Sequence, residues 1–212
     1  LIDPIEHSNN FMFQILANKK SSIDCDKFDY LLRDTYNLGL PYSFDCNRFI
    51  ENTKVIDNCI CFSDKLLYDI YDLLNLRFRL HKQIYNHHTV NQIEHMILDV
   101  FNLVNNELKL SDKIFNVEEF MTLSDNILDN IFYLPINSNN INKAKEIIKN
   151  IKMRNLYKLE NEFILSDTNI SDDILQKYNY FNDNKYCKSF NVINYTKGNK
   201  NPLDYIYLYD NK

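Results

Sequence analysis

Twelve residues, "IDCDKFDYLLRD" from Ile23 to Asp34, gather four aspartates, a lysine, an arginine and a tyrosine. On a helix Asp26, Tyr30 and Asp34 stand at i, i+4 and i+8 and share one face, with Lys27 at its edge. Phe28, Leu31 and Leu32 point elsewhere. A carboxylate at Asp26 can bind a metal or polarise water, Lys27 can hold phosphate oxygens, and Tyr30 with Asp34 can receive a sugar. The plainer alternative is a solvated face in which Asp29 and Arg33 form an ordinary i,i+4 pair, and spacing alone favours it. A second stripe weighs against that alternative. Arg77, His81 and Tyr85 repeat the i, i+4, i+8 geometry, and Asn86, His87 and His88 continue beyond them. If the two stripes face each other they form a pocket, in which Arg77 joins Lys27 as a phosphate-holding cation.

The elements that must position these residues are mostly helical. "FMFQILAN" opens a helical stretch, and "DKFDYLLRDTYNLGL" runs to a Gly-then-Pro stop at Gly39 and Pro41, with Asp26 at its start or in its first turn. "KVIDNCICF" has the pattern of a short strand with a turn near Asn58, and Ser63 is a candidate N-cap for the helix that carries Arg77. Further helices are expected over "TVNQIEHMILDVFNLVNNEL", over "VEEFMTLSDNILDNIFYL" and from Ile141 to Ile151. The polar region from Leu165 to Lys188 reads as a loop or weak boundary, after which "SFNVINY" and "DYIYLYD" alternate like two strands around a turn at "KGNKNP".

Composition narrows the chemistry. With only two glycines, Gly39 and Gly198, neither a Walker loop nor a dinucleotide-binding loop can be written. A net charge of -5 speaks against nucleic acid as a partner and makes any phosphate site a local one. Five cysteines without a C-x-x-C pair fit reduced thiols, so an intracellular location, nuclear or cytoplasmic, is expected. Cys59 and Cys61 read as neighbours on one strand face, and no apolar run reaches membrane-spanning length.

The segment "SSIDCDKFDYLLRD" resembles, nearly position for position, the signature "NGIDVDKWDYFARD" of HD-domain deoxynucleoside triphosphate triphosphohydrolases. The likeness extends to the eukaryotic SAM- and HD-domain-containing dNTPases through "FDCNRFIENTKV", "ICFSDKLLYDIYDLLNLRFRLHKQIYNHHTVNQIEHMILDVF", "TLSDNILDNIF", "AKEIIKNIKMRNLYKL" and "KNPLDYIYLY", in that order. It implies a mainly α fold, a partial HD-domain-like helical bundle with a small C-terminal β-containing lobe. Residues 1–160 would form the later part of the HD-type domain, and 161–212 a loop and the small lobe.

In that family a metal held by a His, a His-Asp pair and a later Asp activates the nucleophile that attacks the α-phosphorus of a dNTP, releasing deoxynucleoside and triphosphate. The resemblance gives Asp26 the role of the later Asp and metal ligand, and puts Arg77 and His81 with it among the catalytic residues. Lys27 and Arg77 would contact phosphates, Tyr30 and Asp34 the deoxyribose, and Tyr85 and Asn86 the sugar and base. The implied cofactor is a divalent metal (Mn, Mg, Zn or Fe), with GTP or a dNTP as activator and dGTP breakdown among the expected processes.

Asp45, Arg48, Lys65, His87, Arg154, Lys158 and Lys200 match the regulatory nucleotide site between subunits, so a homo-oligomer, dimer or tetramer, is implied. Ser63, Gln83 and His88 stand where relatives carry basic residues, and Asp69 where they carry Asn. No His is followed by Asp in the chain, and only His7 precedes Asp26. The chain, which starts at Leu1 without methionine, is therefore read as part of a longer protein and as inactive in isolation. The competing expectations are a nucleotide-binding regulatory module without turnover and an HD phosphohydrolase acting on another nucleotide.

Overall fold

The computed structural model describes residues 10–160, 162, 189 and 191–210. Local sequence signals set most boundaries. Asn10 caps α1 (Phe11–Leu16), and Asp24 caps α2 (Cys25–Asn37) by accepting from the Lys27 N–H at 3.1 Å, which puts Asp26 in the first turn. Beyond α2 the chain turns at Gly39, whose φ of +63° is the left-handed conformation common after helix ends.

Asp45 caps α3 (Cys46–Glu51), a short helix of six residues that the periodicity did not announce. The hairpin of β1 (Thr53–Ile56) and β2 (Cys59–Ser63) follows the expected pattern, joined by Asp57 and Asn58, both at positive φ, as a tight two-residue turn needs. Ser63 caps a 3₁₀ turn (Asp64–Leu66) that leads into α4 (Leu67–Leu80), and α4 passes into a π-helical turn, His81–Tyr85.

The structure divides into two compact units, residues up to Tyr85 with Val192 onward, and Asn86–Asn191. The first unit is built around Leu31, Phe49, Phe62, Leu66, Ile70 and Leu73, all at most 2% exposed. Its sheet has the order β1-β2-β3, where β3 (Leu208–Tyr209) runs parallel to β2 with Phe62 opposite Leu208. That corrects the tail. The described residues of "SFNVINY" form no strand, and β3 finds its partner in β2 through the Phe62 N–H to Tyr207 carbonyl bond at 2.9 Å.

In the second unit His87 caps α5 (His88–Leu108), which ends where Lys109 turns left-handed and gives way to α6 (Leu110–Lys113). "VEEFMTLSDNILDNIFYL" forms two helices rather than one, α7 (Val117–Phe120) and α8 (Ile127–Tyr133). Thr122 hydrogen-bonds back to the Glu119 carbonyl at the break, a local alternative to continuing the helix. Ser138 caps α9 (Asn139–Lys152), and Val100, Val104, Ile131, Ile141, Ala144 and Ile148 close the core of this unit. The loop expected from Leu165 to Lys188 lies outside the described residues.

Candidate functional site

The turn ahead of α2 sets the position of the first stripe. Asn18, 3% exposed, accepts from the N–H groups of Lys20 and Ser21 and donates its own N–H to the Asp24 carboxylate at 3.0 Å. With the turn fixed in this way, the Ser22 carbonyl accepts from Lys27 Nζ. Lys27 is itself buried, at 7% exposure. Burial lowers its pKa from 10.5 to about 8, opposed by the Asp24 carboxylate and reinforced by the Arg77 guanidinium.

One and two turns further along α2, Tyr30 and Asp34 meet the second stripe. The Tyr85 hydroxyl donates to the Asp34 carboxylate, and together with burial this contact raises the Tyr85 pKa. Tyr30 lies near the Arg77 guanidinium, and burial raises its pKa too, opposed by that cation. Ring edges bring Tyr30 to 6.3 Å and His81 to 4.9 Å of Tyr85, centroid to centroid. The π-helical turn allows the latter contact by placing His81 and Tyr85 within one wide turn. Burial and the nearby Arg77 and Lys27 cations lower the His81 pKa, favouring neutral imidazole.

Lys27, Tyr30, Asp34, Arg77, His81 and Tyr85 are thus brought together in the first unit, and Asn86 opens the second. Asp26 is exposed in the first turn of α2. Among the described residues no group of three or more His, Cys, Asp or Glu can surround a cation. These residues therefore do not by themselves make up the metal centre the resemblance implies.

Sequence reasoning missed Asn194, whose carbonyl accepts from Arg77 Nη1 at 2.8 Å across 117 positions of chain. No spacing rule reaches that far. It also missed a groove of about 720 Å³ along the other face of α2, lined by Cys25, Phe28, Asp29, Leu32, Arg33 and Ile50 among others. That groove contains none of the six gathered residues. The four described cysteines carry no disulfide, and among the described residues no helix is long and apolar enough to cross a membrane.

The positions matched to a regulatory nucleotide site are exposed. Asp45 caps α3, and the Arg48 guanidinium meets the Asp69 carboxylate at 3.2 Å. Lys65 is in the 3₁₀ turn before α4, and Lys200 rests 5.9 Å from the centre of the Tyr205 ring. In the second unit His87 packs its ring 4.0 Å from that of His88, Arg154 adopts φ +59° just after α9, and Lys158 follows in a segment without regular secondary structure.

No protein-family model matches the chain. Similar proteins include the deoxynucleoside triphosphate triphosphohydrolase SAMHD1 homolog of Dictyostelium discoideum, 39% identical over 160 residues, covering 76% of this chain and 31% of that protein. An HD domain-containing protein of Acanthamoeba polyphaga mimivirus is 32% identical over 232 residues, covering 99% of this chain and 50% of its own. The deoxynucleoside triphosphate triphosphohydrolase SAMHD1 of Homo sapiens is 34% identical over 169 residues, 73% of this chain and 27% of that protein. The chain thus spans between 27% and 50% of the length of these relatives. These similarities set it among HD-domain proteins. Within them, it belongs to the SAMHD1-like family.

Proposed function

We propose that this chain forms the substrate-facing wall of a dNTP triphosphohydrolase. The observation that carries the reading is the convergence of Lys27, Tyr30 and Asp34 with Arg77, His81 and Tyr85 in one unit. Lys27 and Arg77 hold the phosphates, and the Tyr30–Asp34–Tyr85 group receives the deoxyribose, with Asn86 completing the contact to sugar and base. His81, held neutral, offers a hydrogen-bonding imidazole beside the cations. Water attack at the α-phosphorus breaks its bond to the 5′ oxygen and yields deoxynucleoside and triphosphate. Family membership adds a divalent metal, for which Asp26 supplies one carboxylate.

A regulatory nucleotide at Asp45, Arg48, Lys65, His87, Arg154, Lys158 and Lys200, and assembly into oligomers, belong to the same reading. The Arg48–Asp69 pair opposes that nucleotide, since a triphosphate must displace a carboxylate to reach the guanidinium. The test is to incubate the intact protein with each dNTP and Mn or Mg. Inorganic triphosphate is the expected product. Pyrophosphate or single phosphate instead would overturn the reaction, and dNTP binding without any product would mark an interaction module.

A further inference from the structure

The segment from Asn194 to Lys197 is more constrained than a surface connection requires. Thr196 is β-branched yet adopts φ +96°, a region that favours glycine, and its hydroxyl oxygen is buried without a partner among the described residues. The Asn194 side chain accepts from the Thr196 N–H at 2.8 Å and holds the bend. Two fastenings tie the segment down. The Asn194 carbonyl takes the Arg77 guanidinium at 2.8 Å, and Lys197 Nζ donates to the Lys19 carbonyl at 2.7 Å while sitting 5.2 Å from the centre of the Tyr205 ring.

Lys19 belongs to the same turn whose Ser22 carbonyl receives the Lys27 ammonium. Three cations, Lys27, Arg77 and Lys197, therefore collect around one turn. Among the described residues the ion pairs join Arg33 to Asp29, Arg48 to Asp69 and Lys152 to Asp129, and none neutralises these three. Their hydrogen-bond partners include neutral carbonyls, which orient an ammonium or guanidinium without cancelling its charge, and the Asp24 and Asp26 carboxylates near Lys27 offset only part of the three positive charges. Like charges gathered in this way repel, and the repulsion is relieved by a bound polyanion.

We propose that Lys197 is a third cation of the triphosphate site, presented by the strained Asn194–Lys197 segment. The proposal rests on reading the pocket as a dNTP site. In the intact protein, calorimetric titration would use three probes: dATP, sodium tripolyphosphate and deoxyadenosine. Lys197→Met is expected to weaken dATP and tripolyphosphate about tenfold, the scale of one charge-assisted contact, and to flatten the salt dependence. It should leave deoxyadenosine untouched. Lys197→Arg should restore most of the loss, and Lys54→Met on exposed β1 should change nothing.

Should Lys197→Met fail to fold, Lys197→Gln retains a donor for the Lys19 carbonyl and removes only the charge. Tripolyphosphate binding by the neutral variant equal to wild type at low salt would overturn the role of Lys197. If Lys27→Met and Arg77→Met weaken binding in that case, the dNTP reading stands without Lys197. If they too are silent, or if wild type binds neither anion, both readings fall.

Discussion

On one face of α2, Asp29 and Arg33 meet at 2.8 Å with side chains 60% and 65% exposed. On another, Asp34 receives the Tyr85 hydroxyl, next to a Tyr30 that lies near Arg77 and a Lys27 that is almost fully covered. Both faces are built from carboxylates and cations at helical spacing, so residue type does not separate them. What separates them is the company each face keeps. Asp29 and Arg33 satisfy each other in water, where an ion pair contributes little. Lys27 and Arg77 are held by carbonyls rather than each paired with a carboxylate at bonding distance.

The largest effect expected is at Asp26. Asp26→Ala should abolish triphosphate release by the intact protein while leaving its thermal unfolding midpoint in place, because the side chain is exposed. A lost fold in this variant would give Asp26 a structural role and blur the contrast between the faces.

Next comes the buried lysine. Below pH 8 Lys27 is charged in both folded and unfolded chain, and its burial penalty is fully present. Between about 8 and 10.5 the unfolded chain binds more protons than the folded one, so stability should rise with pH across that window. The rise is of the order of 3 kcal/mol at 1.36 kcal/mol per unit. Denaturant titrations at a series of pH values measure it, and Lys27→Met should remove the Lys27 contribution to the slope.

A smaller change follows from Tyr85→Phe. Deleting the hydroxyl leaves Asp34 without that donor and should cost about 1 kcal/mol of stability in urea unfolding, with weaker dNTP binding. The smallest belongs to the solvated face. Asp29→Asn and Arg33→Gln should shift neither the melting midpoint nor dNTP affinity measurably, and a loss of affinity in either would draw the groove beside them into the site.

The stripes were legible because helical spacing is a local property. Tyr30 and Asp34 of α2 meet Tyr85 of the π-helical turn, while Asp26 at the head of the same stripe stays exposed. The hairpin was legible for the same reason, since Asp57 and Asn58 tolerate left-handed backbone better than most residues. Where sequence reasoning failed, the deciding contact was distant in the chain. Alternation in "DYIYLYD" marks a residue pair fit for a strand but cannot name its neighbour, and β3 joined β2 rather than "SFNVINY". Arg77 and Asn194 likewise have no shared pattern to reveal their bond. The split of α7 from α8 is a different failure. The apolar period continues through the break, while the backbone turns at residues with side chains able to bond locally.

The Arg77 anchor has one more consequence. Its acceptor is a main-chain carbonyl, and every amino acid at position 194 supplies one. Substitution there cannot delete the acceptor; only a change in the path of the chain can move it. The vulnerability passes to whatever sets that path: the Asn194 side chain that holds the Thr196 bend, and the Lys197 tether. Random mutagenesis scored for loss of nucleotide binding should therefore tolerate at position 194 only residues whose side chain still accepts from the Thr196 N–H, and should find Thr196 and Lys197 sensitive as well.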